Sequence, residues 1–560
     1  MPRRDRAIFE PGFLMNRLAF AAALCLAPLT AAAQSHMGGV LKLTSASAGG
    51  TIDPHLNYTL EYAEVFANTY DGLVTFRKTG GPSSIDIVPD LATSIPAPQD
   101  GGKTYVFTLQ KNIKFSNGKT VTPDDVVASF ERLFKVSNPV TTSWYSVIVG
   151  ADACLATPAT CTLPNGVIAD DAANTVTFHL TKPDPEFFDQ LAVPFGTIVP
   201  AGTPAKDSGT IPIPGTGAYM ITSYDPQKML VEKRNPYFRQ WSVDAQPTGY
   251  VDEIDYEFNV SDENAITAIE NGQLDWEFDP SPTDRLAEMA TRFPTELHID
   301  PLFNVYYAPM NVNIPPFNNL DARLAVNYAI NRRSAVKIYG GSNLATPSCQ
   351  ILPPGFPGYQ PYCPYTENPG TVWSKPDLAK AKALMAASGQ IGAPVTIIDD
   401  DQGVDPQLGT YLASVLNQLG FKATVRTLSE NIQFNYIQNT NNKVQISITQ
   451  WFDDYPAASD FLNVLLSCGA FHPGSDNSVN ISGYCDKKYD AAVQAALNTA
   501  ITDPNAANAQ WAAVDKQATD AAPWVTLFAP KHVDFVSKRL GNFGYSLQYN
   551  GPLFATVWVQ

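Results

Sequence analysis

Residues 102–134 read GKTYVFTLQKNIKFSNGKTVTPDDVVASFERLF, and several local instructions follow one another along them. Tyr105, Phe107 and Leu109 alternate, the period of a half-buried strand. Ser116-Asn117-Gly118-Lys119 supplies a turn, with a second extended piece up to residue 121. Thr122 is then placed as a helix N-cap, Pro123 suits the first helical position, and Asp125 sits where a capping-box acid belongs. Val126, Val127, Phe130, Leu133 and Phe134 continue with helical spacing. Strand, turn, strand and capped helix are thus predicted in immediate succession.

Outward from this stretch, Val40-Leu41-Lys42-Leu43 predicts an opening strand, and Val176, Phe178 and Leu180 alternate in another. Pro200, Pro204, Pro212 and Pro214 precede Gly215, punctuation that marks a boundary or a crossing between lobes. After residue 305 the texture changes. A helix is predicted over Asp321–Tyr339 with Gly340 as its stop, and another over Leu378–Ser388 ending at Gly389. Val395–Ile398 reads as a short buried strand, Leu408–Leu419 as a helix ending at Gly420, and Ala423-Thr424-Val425 as the next strand. This alternation predicts an α/β lobe with a partly parallel sheet. Tyr489–Leu497 and Ala507–Ala518 read as further helices. No internal repeat or low-complexity tract occurs.

A chain of 560 residues is too long for one core, because single cores stop growing at about 250–300 residues. Two or more lobes follow. A hydrophobic share of 44% with 16% charged residues is a globular composition. The net charge of −17 argues against nucleic acid and anionic lipid as partners. At the N-terminus, Met15-Asn16-Arg17, the apolar run Leu18–Leu29 and the small residues Ala31-Ala32-Ala33 read as a secretory signal peptide ending at residue 33, with residues 1–14 a possible upstream extension. The run falls short of the ~20 residues a membrane-spanning helix needs. Cys25 follows Leu24 rather than a small residue, so no lipid anchor is expected. An exported chain points to the periplasm.

Of the seven cysteines, Cys25 leaves with the signal. The other six fall in three close pairs, for which the simplest pairing is local: Cys154 with Cys161, Cys349 with Cys363, Cys468 with Cys485. No CxxC occurs and the six His are scattered, which argues against a metal site. Neither GxSxG nor HExxH occurs, which argues against an exported hydrolase. Gly215-Thr216-Gly217 is a weak phosphate cue standing alone.

A series of short segments resembles, in order and spacing, the extracytoplasmic solute-binding proteins of family 5 that serve ABC importers of peptides and nickel. They are Thr51-Ile52-Asp53-Pro54-His55, Tyr70-Asp71-Gly72-Leu73, Pro89-Asp90-Leu91-Ala92, the block 102–126, Gly215-Thr216-Gly217-Ala218-Tyr219, Arg234-Asn235-Pro236-Tyr237, Asn327–Arg332, Trp451–Pro456 and Ala522-Pro523-Trp524. The resemblance implies a two-lobe α/β periplasmic-binding-protein fold of type II with an extra subdomain in the first lobe. It places lobe I at 39–85, 211–305 and 530–560, its subdomain at 86–210, and lobe II at 306–529. It implies a monomer that captures a short peptide or related small solute between hinged lobes and passes it to an inner-membrane permease. No cofactor and no catalytic step are implied. A metal, opine or sugar carrier of the same fold is the alternative.

In peptide-binding members of the family that segment 451–456 resembles, an Asp pairs with the ligand's α-amino group, and by residue matching the resemblance implies that role for Asp454. A buried ammonium needs an opposite charge, and a carboxylate offers acceptors with no competing donor. Trp451 and Tyr455 flank it. Asn57, Tyr58 and Tyr306, with Tyr307, are further candidates for ligand contact. Asp453 is expected to face solvent, and His55 and His472 to be structural. No arginine is assigned to a ligand carboxylate.

Overall fold

The computed structural model describes residues 36–57, 59–138, 141, 144–279, 285–475 and 478–560. The signal segment and Tyr58 lie outside the described residues. In the opening stretch, Thr104–Thr108 forms a strand whose Tyr105 and Phe107 side chains are buried. It pairs antiparallel with Thr175–His179, which pairs in turn with Val167–Asp170. The helix Pro123–Lys135 covers this sheet, with the Phe130 ring 4.9 Å from that of Phe178. Its start is fixed as the sequence specifies: the Asp125 carboxylate accepts from the Thr122 N–H at 2.8 Å. Gly118 closes the preceding turn at φ +83°, with its N–H donating to the Phe115 carbonyl at 2.8 Å.

The first lobe is built on a five-stranded sheet. Val40–Ser45 lies in it between Trp276–Glu277 and Glu253–Phe258, parallel to both, and Met229–Arg234 and Tyr219–Asp225 continue it. The resembling segments turn out to be ties between these pieces. Asp71 accepts from Thr216 Oγ1 and from Gln246 Nε2, each at 2.6 Å, and Asn235 Nδ2 donates to the Gly217 carbonyl at 3.0 Å. A Cβ on Gly215 or Gly217 would stand 2.0 or 2.1 Å from the carbonyl of Thr69 or Asn68, so these glycines serve close packing on the helix Leu60–Thr69 rather than phosphate binding.

In the second lobe, Pro394–Asp400 pairs parallel with Lys422–Leu428 and with Ile446–Ser447, and the helix Asp405–Leu419 makes the crossover. The predicted helix 321–339 is two helices, Leu320–Ala329 and Arg332–Tyr339. Ile330 takes an extended conformation and Asn331 caps the second helix, its side chain accepting from the Ser334 N–H. Apolar periodicity runs through this break because both helices face one core. Arg332, fully buried, donates to the carbonyls of Ser348 at 2.6 Å and Thr526 at 2.9 Å. The late helices run further than their apolar pattern, over Lys487–Ala500 and Pro504–Ala521, because Asp486 and Asp503 cap them upstream of it.

The two lobes are joined through one ribbon. The strand Trp524–Phe535 pairs in its first half with Asn304–Pro309 and in its second with Leu297–Pro301. Val536, Phe554, Ala555 and Val557 then enter the first lobe's core. The three disulfides are Cys154–Cys161, Cys349–Cys363 and Cys468–Cys485, all local. A loop of about 15 residues constrains the unfolded chain by ~3 kcal/mol. Reduction is therefore expected to lower the denaturant midpoint without abolishing the fold, read by fluorescence with and without dithiothreitol.

Several buried or half-buried carboxyls keep their protons to a higher pH in the folded state than in the unfolded one. Burial pushes Glu232 up to about 8 and Glu61 up to about 7. Burial, with Glu186 and Asp184 nearby, pushes Asp189 to about 8. The folded chain therefore binds more protons than the unfolded one between the ordinary carboxyl range and about pH 8. Stability from these groups is complete below that range and falls as pH rises. A higher melting temperature at pH 5 than at pH 8 is expected in a thermal scan.

Candidate functional site

The strand Thr449–Phe452 lies beside Asn304–Pro309, with Val305 opposite Trp451 and Asn304 opposite Phe452. The chain therefore leaves the sheet at Asp453-Asp454 beside the lobe junction, and the Asp453 N–H donates to the Phe303 carbonyl at 3.1 Å. The short helix Ala458–Leu462 follows and carries Asp460. Asp460 Oδ2 accepts from Trp451 Nε1 and from the Asp454 N–H, each at 3.1 Å. One buried carboxylate thus folds the whole 451–460 turn about itself.

The opposite wall is the loop before the helix Phe187–Ala192, which is seated by Phe187 packing on Tyr105 at 5.2 Å and on Phe178 at 5.5 Å. It presents Glu186. Tyr455 Oη donates to Glu186 Oε2 at 2.7 Å, and Ser459 Oγ donates to Glu186 Oε1. The Trp144 ring meets Tyr455 edge-on at 5.9 Å. These contacts bridge the subdomain and the second lobe.

Two cavities adjoin this bridge. One of 390 Å³ is lined by Leu60, Phe66, Phe76, Trp144, Phe195 and others, with Asp453 and Asp454 at its polar side. The other, of 500 Å³, is lined by Asp184, Glu186, Gln190, Trp451, Tyr455 and Asp460 among others. Asp454 and Trp144 border both. The neighbourhood is strongly acidic. Burial and then Asp454 raise Asp453 well above the ordinary carboxyl range, and burial followed by Asp454 and Asp453 does the same to Asp460. Burial and the neighbouring Asp184 push Glu186 up to about 7. Among the described residues no three His, Cys, Asp or Glu side chains are arranged to hold a metal ion.

The sequence candidates separate in space. Asp454, Trp451, Tyr455 and Asn57 all border the cavities. Asn57 is also a loop clamp, its Nδ2 donating to the carbonyls of Gly49 at 2.8 Å and Thr51 at 2.7 Å. Tyr306 borders neither cavity: its ring stacks on Phe528 at 4.8 Å inside the second lobe's core. Tyr307 likewise stacks on Trp524 at 3.8 Å. Asp453 faces the first cavity rather than bulk solvent, because the strand end at Phe452 turns it toward the first lobe. His55 is buried, with Nε2 3.0 Å from the Thr197 carbonyl, and burial with the nearby Arg132 lowers it to about 4. Trp144, Glu186 and Asp460 were not among the candidates. Only Asp460 carries a local signal, an acid in the first turn of a helix six residues beyond Asp454.

Two lobes joined by a strand ribbon, with cavities between them lined from both sides, define a solute-capturing protein. The family model of bacterial extracellular solute-binding proteins, family 5 Middle, matches residues 86–473, more than half of the chain, and the chain belongs to that family. It is 25% identical over 519 residues to the probable deoxycholate-binding periplasmic protein YgiS of Escherichia coli K12, covering 90% of each chain. It is 26% identical over 504 residues to the glutathione-binding protein GsiB of Salmonella choleraesuis, covering 88% of this chain and 89% of that one. Among solved structures, the clavulanic acid biosynthesis oligopeptide binding protein 2 superposes with a TM-score of 0.83 at 21% identity, covering 93% of this chain and 96% of that one, a likeness of fold. Among the described residues no helix is long and apolar enough to cross a membrane.

Proposed function

We propose that this chain captures a short peptide, or a related small solute with a free amine, in the periplasm and delivers it unchanged to an inner-membrane ABC permease. The observation that carries the reading is the place of Asp454, at the meeting of two cavities between the lobes. An ammonium buried there by the lobes gains a carboxylate partner, and leaving it unpaired would cost several kcal/mol. From that anchor an apolar side chain can enter the cavity walled by Phe66, Phe76 and Phe195. Cavities of 390 and 500 Å³ fall in the ~300–1,000 Å³ range of small-ligand sites.

The segments 39–85, 211–305 and 530–560 are assigned to lobe I, 86–210 to its subdomain and 306–529 to lobe II. The partition is supported by the five-stranded sheet drawn from the first set and by the C-terminal residues in its core. The ribbon 297–309 with 524–535 is the hinge of this reading. The site is assigned no catalytic step.

A thermal-shift screen with di- and tripeptides tests the proposal. A ligand at 100 times its Kd stabilises the folded protein by ~2.7 kcal/mol. A raised melting temperature with peptides is the expected result; a response to sugars or nickel alone would refute the peptide reading.

A further inference from the structure

The 500 Å³ cavity differs from its neighbour in chemistry. Asp184 and Glu186 approach it from the subdomain, and Asp454 and Asp460 from the second lobe. Lys182 is the one cation among the described residues lining it, and it is exposed. Two acceptors bordering this space are buried without a partner: Asp460 Oδ1, on a residue 1% exposed, and the side-chain oxygen of Gln190, 3% exposed. A buried acceptor left unpaired costs ~1–3 kcal/mol, and a donor in the cavity reaches these two once their side chains turn toward it. The carboxylates are not arranged to hold a metal ion, which favours an extended organic cation with several N–H donors.

Carboxylates of like charge brought together by two lobes oppose closure unless they are protonated or neutralised. Burial followed by the nearby acids raises both Glu186 and Asp460, so a cation would displace a proton there. A cation that pairs with groups from both walls binds the closed arrangement better than the open one, and so shifts the lobes toward closure.

We infer that this cavity is a second cation subsite, selecting ligands that carry an ammonium or guanidinium in addition to the amine at Asp454. The inference rests on the Asp454 reading for the first amine, and it commits the ligand class further, to basic peptides or diamines. Glu186 is then both a lobe bridge, through Tyr455 and Ser459, and one wall of the subsite.

The test uses the full mature chain and titration calorimetry with three probes: Ala-Lys-Ala, its deamino analogue Ala-norleucine-Ala, and 1,5-diaminopentane. The lysine peptide is expected to bind at least tenfold more tightly than the norleucine peptide. Asp184→Asn and Glu186→Gln are each expected to move that ratio toward one, with melting temperatures confirming that both variants fold. Equal affinity for the two peptides, or a lysine preference undiminished in both variants, overturns the subsite while leaving peptide capture intact. Binding of the diamine with neither peptide bound refutes peptide capture and supports the subsite. No binding of any lysine or diamine probe overturns the subsite.

Discussion

Replacing Asp454 by Asn is expected to weaken capture of amine-bearing ligands by about 2–5 kcal/mol, a factor of roughly 30 to 5,000 in Kd, chiefly because the ligand's ammonium is left buried without a counter-charge. The substitution keeps the side chain's size and leaves intact the backbone bond that ties residue 454 to Asp460. The folded protein should therefore melt within a few degrees of the parent while losing affinity. An N-terminally acetylated ligand, already weak on the parent chain, should lose little more on the variant. Titration calorimetry with the four combinations of protein and ligand forms a double cycle, and additive losses would dissociate Asp454 from the amine.

Replacing Arg132 by Met is expected to have the largest effect on stability, about 3–5 kcal/mol, because it strands a buried carboxylate. Arg132 Nη1 donates to Asp53 Oδ1 at 3.0 Å, and Nη2 donates to Asp53 Oδ2. Asp53 is fully buried, and the N–H groups of His55 and Ser208 donate to it at 3.0 and 3.1 Å. Burial alone would raise Asp53, yet Arg132 holds it below the ordinary carboxyl range. The pair anchors the 51–57 turn, whose Asn57 borders the apolar cavity, to the subdomain helix Pro123–Lys135. The double variant Asp53→Leu/Arg132→Met should recover part of the loss, since it removes both charges together. Urea denaturation of the three proteins reads this directly, and a single Arg132→Met as stable as the parent would refute the role.

Much of this architecture is legible in the residues themselves. The 102–134 block carries its first strand, turn and cap in local chemistry, but the second predicted strand is reduced to an isolated bridge between Lys114 and Thr120. The disulfide pairs follow from closeness in sequence. The break at Ile330-Asn331 is hidden because an apolar face continues across it; an asparagine in mid-pattern is the sole local mark. The site divides in the same way. Asp454, Trp451 and Tyr455 sit in one contiguous segment and can be found by matching it. Glu186 lies 269 residues from its partner Tyr455, and no local pattern announces a contact made only when two lobes meet. Tyr306 shows the converse. It is near the lobe junction in sequence, but both faces of its strand are covered, and its ring packs in the second lobe's core.

The proposed role of the interlobe space is to take up a free-amine solute and return it chemically unchanged. Equilibrium dialysis of the mature protein against a mixed tripeptide library, followed by mass spectrometry of what is retained and then released by denaturation, tests it most directly. Retention of intact peptides with free amino termini, and exclusion of the same library after N-acetylation, is the predicted result. Equal retention of the acetylated library, cleavage of the retained peptides, or no retention at all would contradict that role.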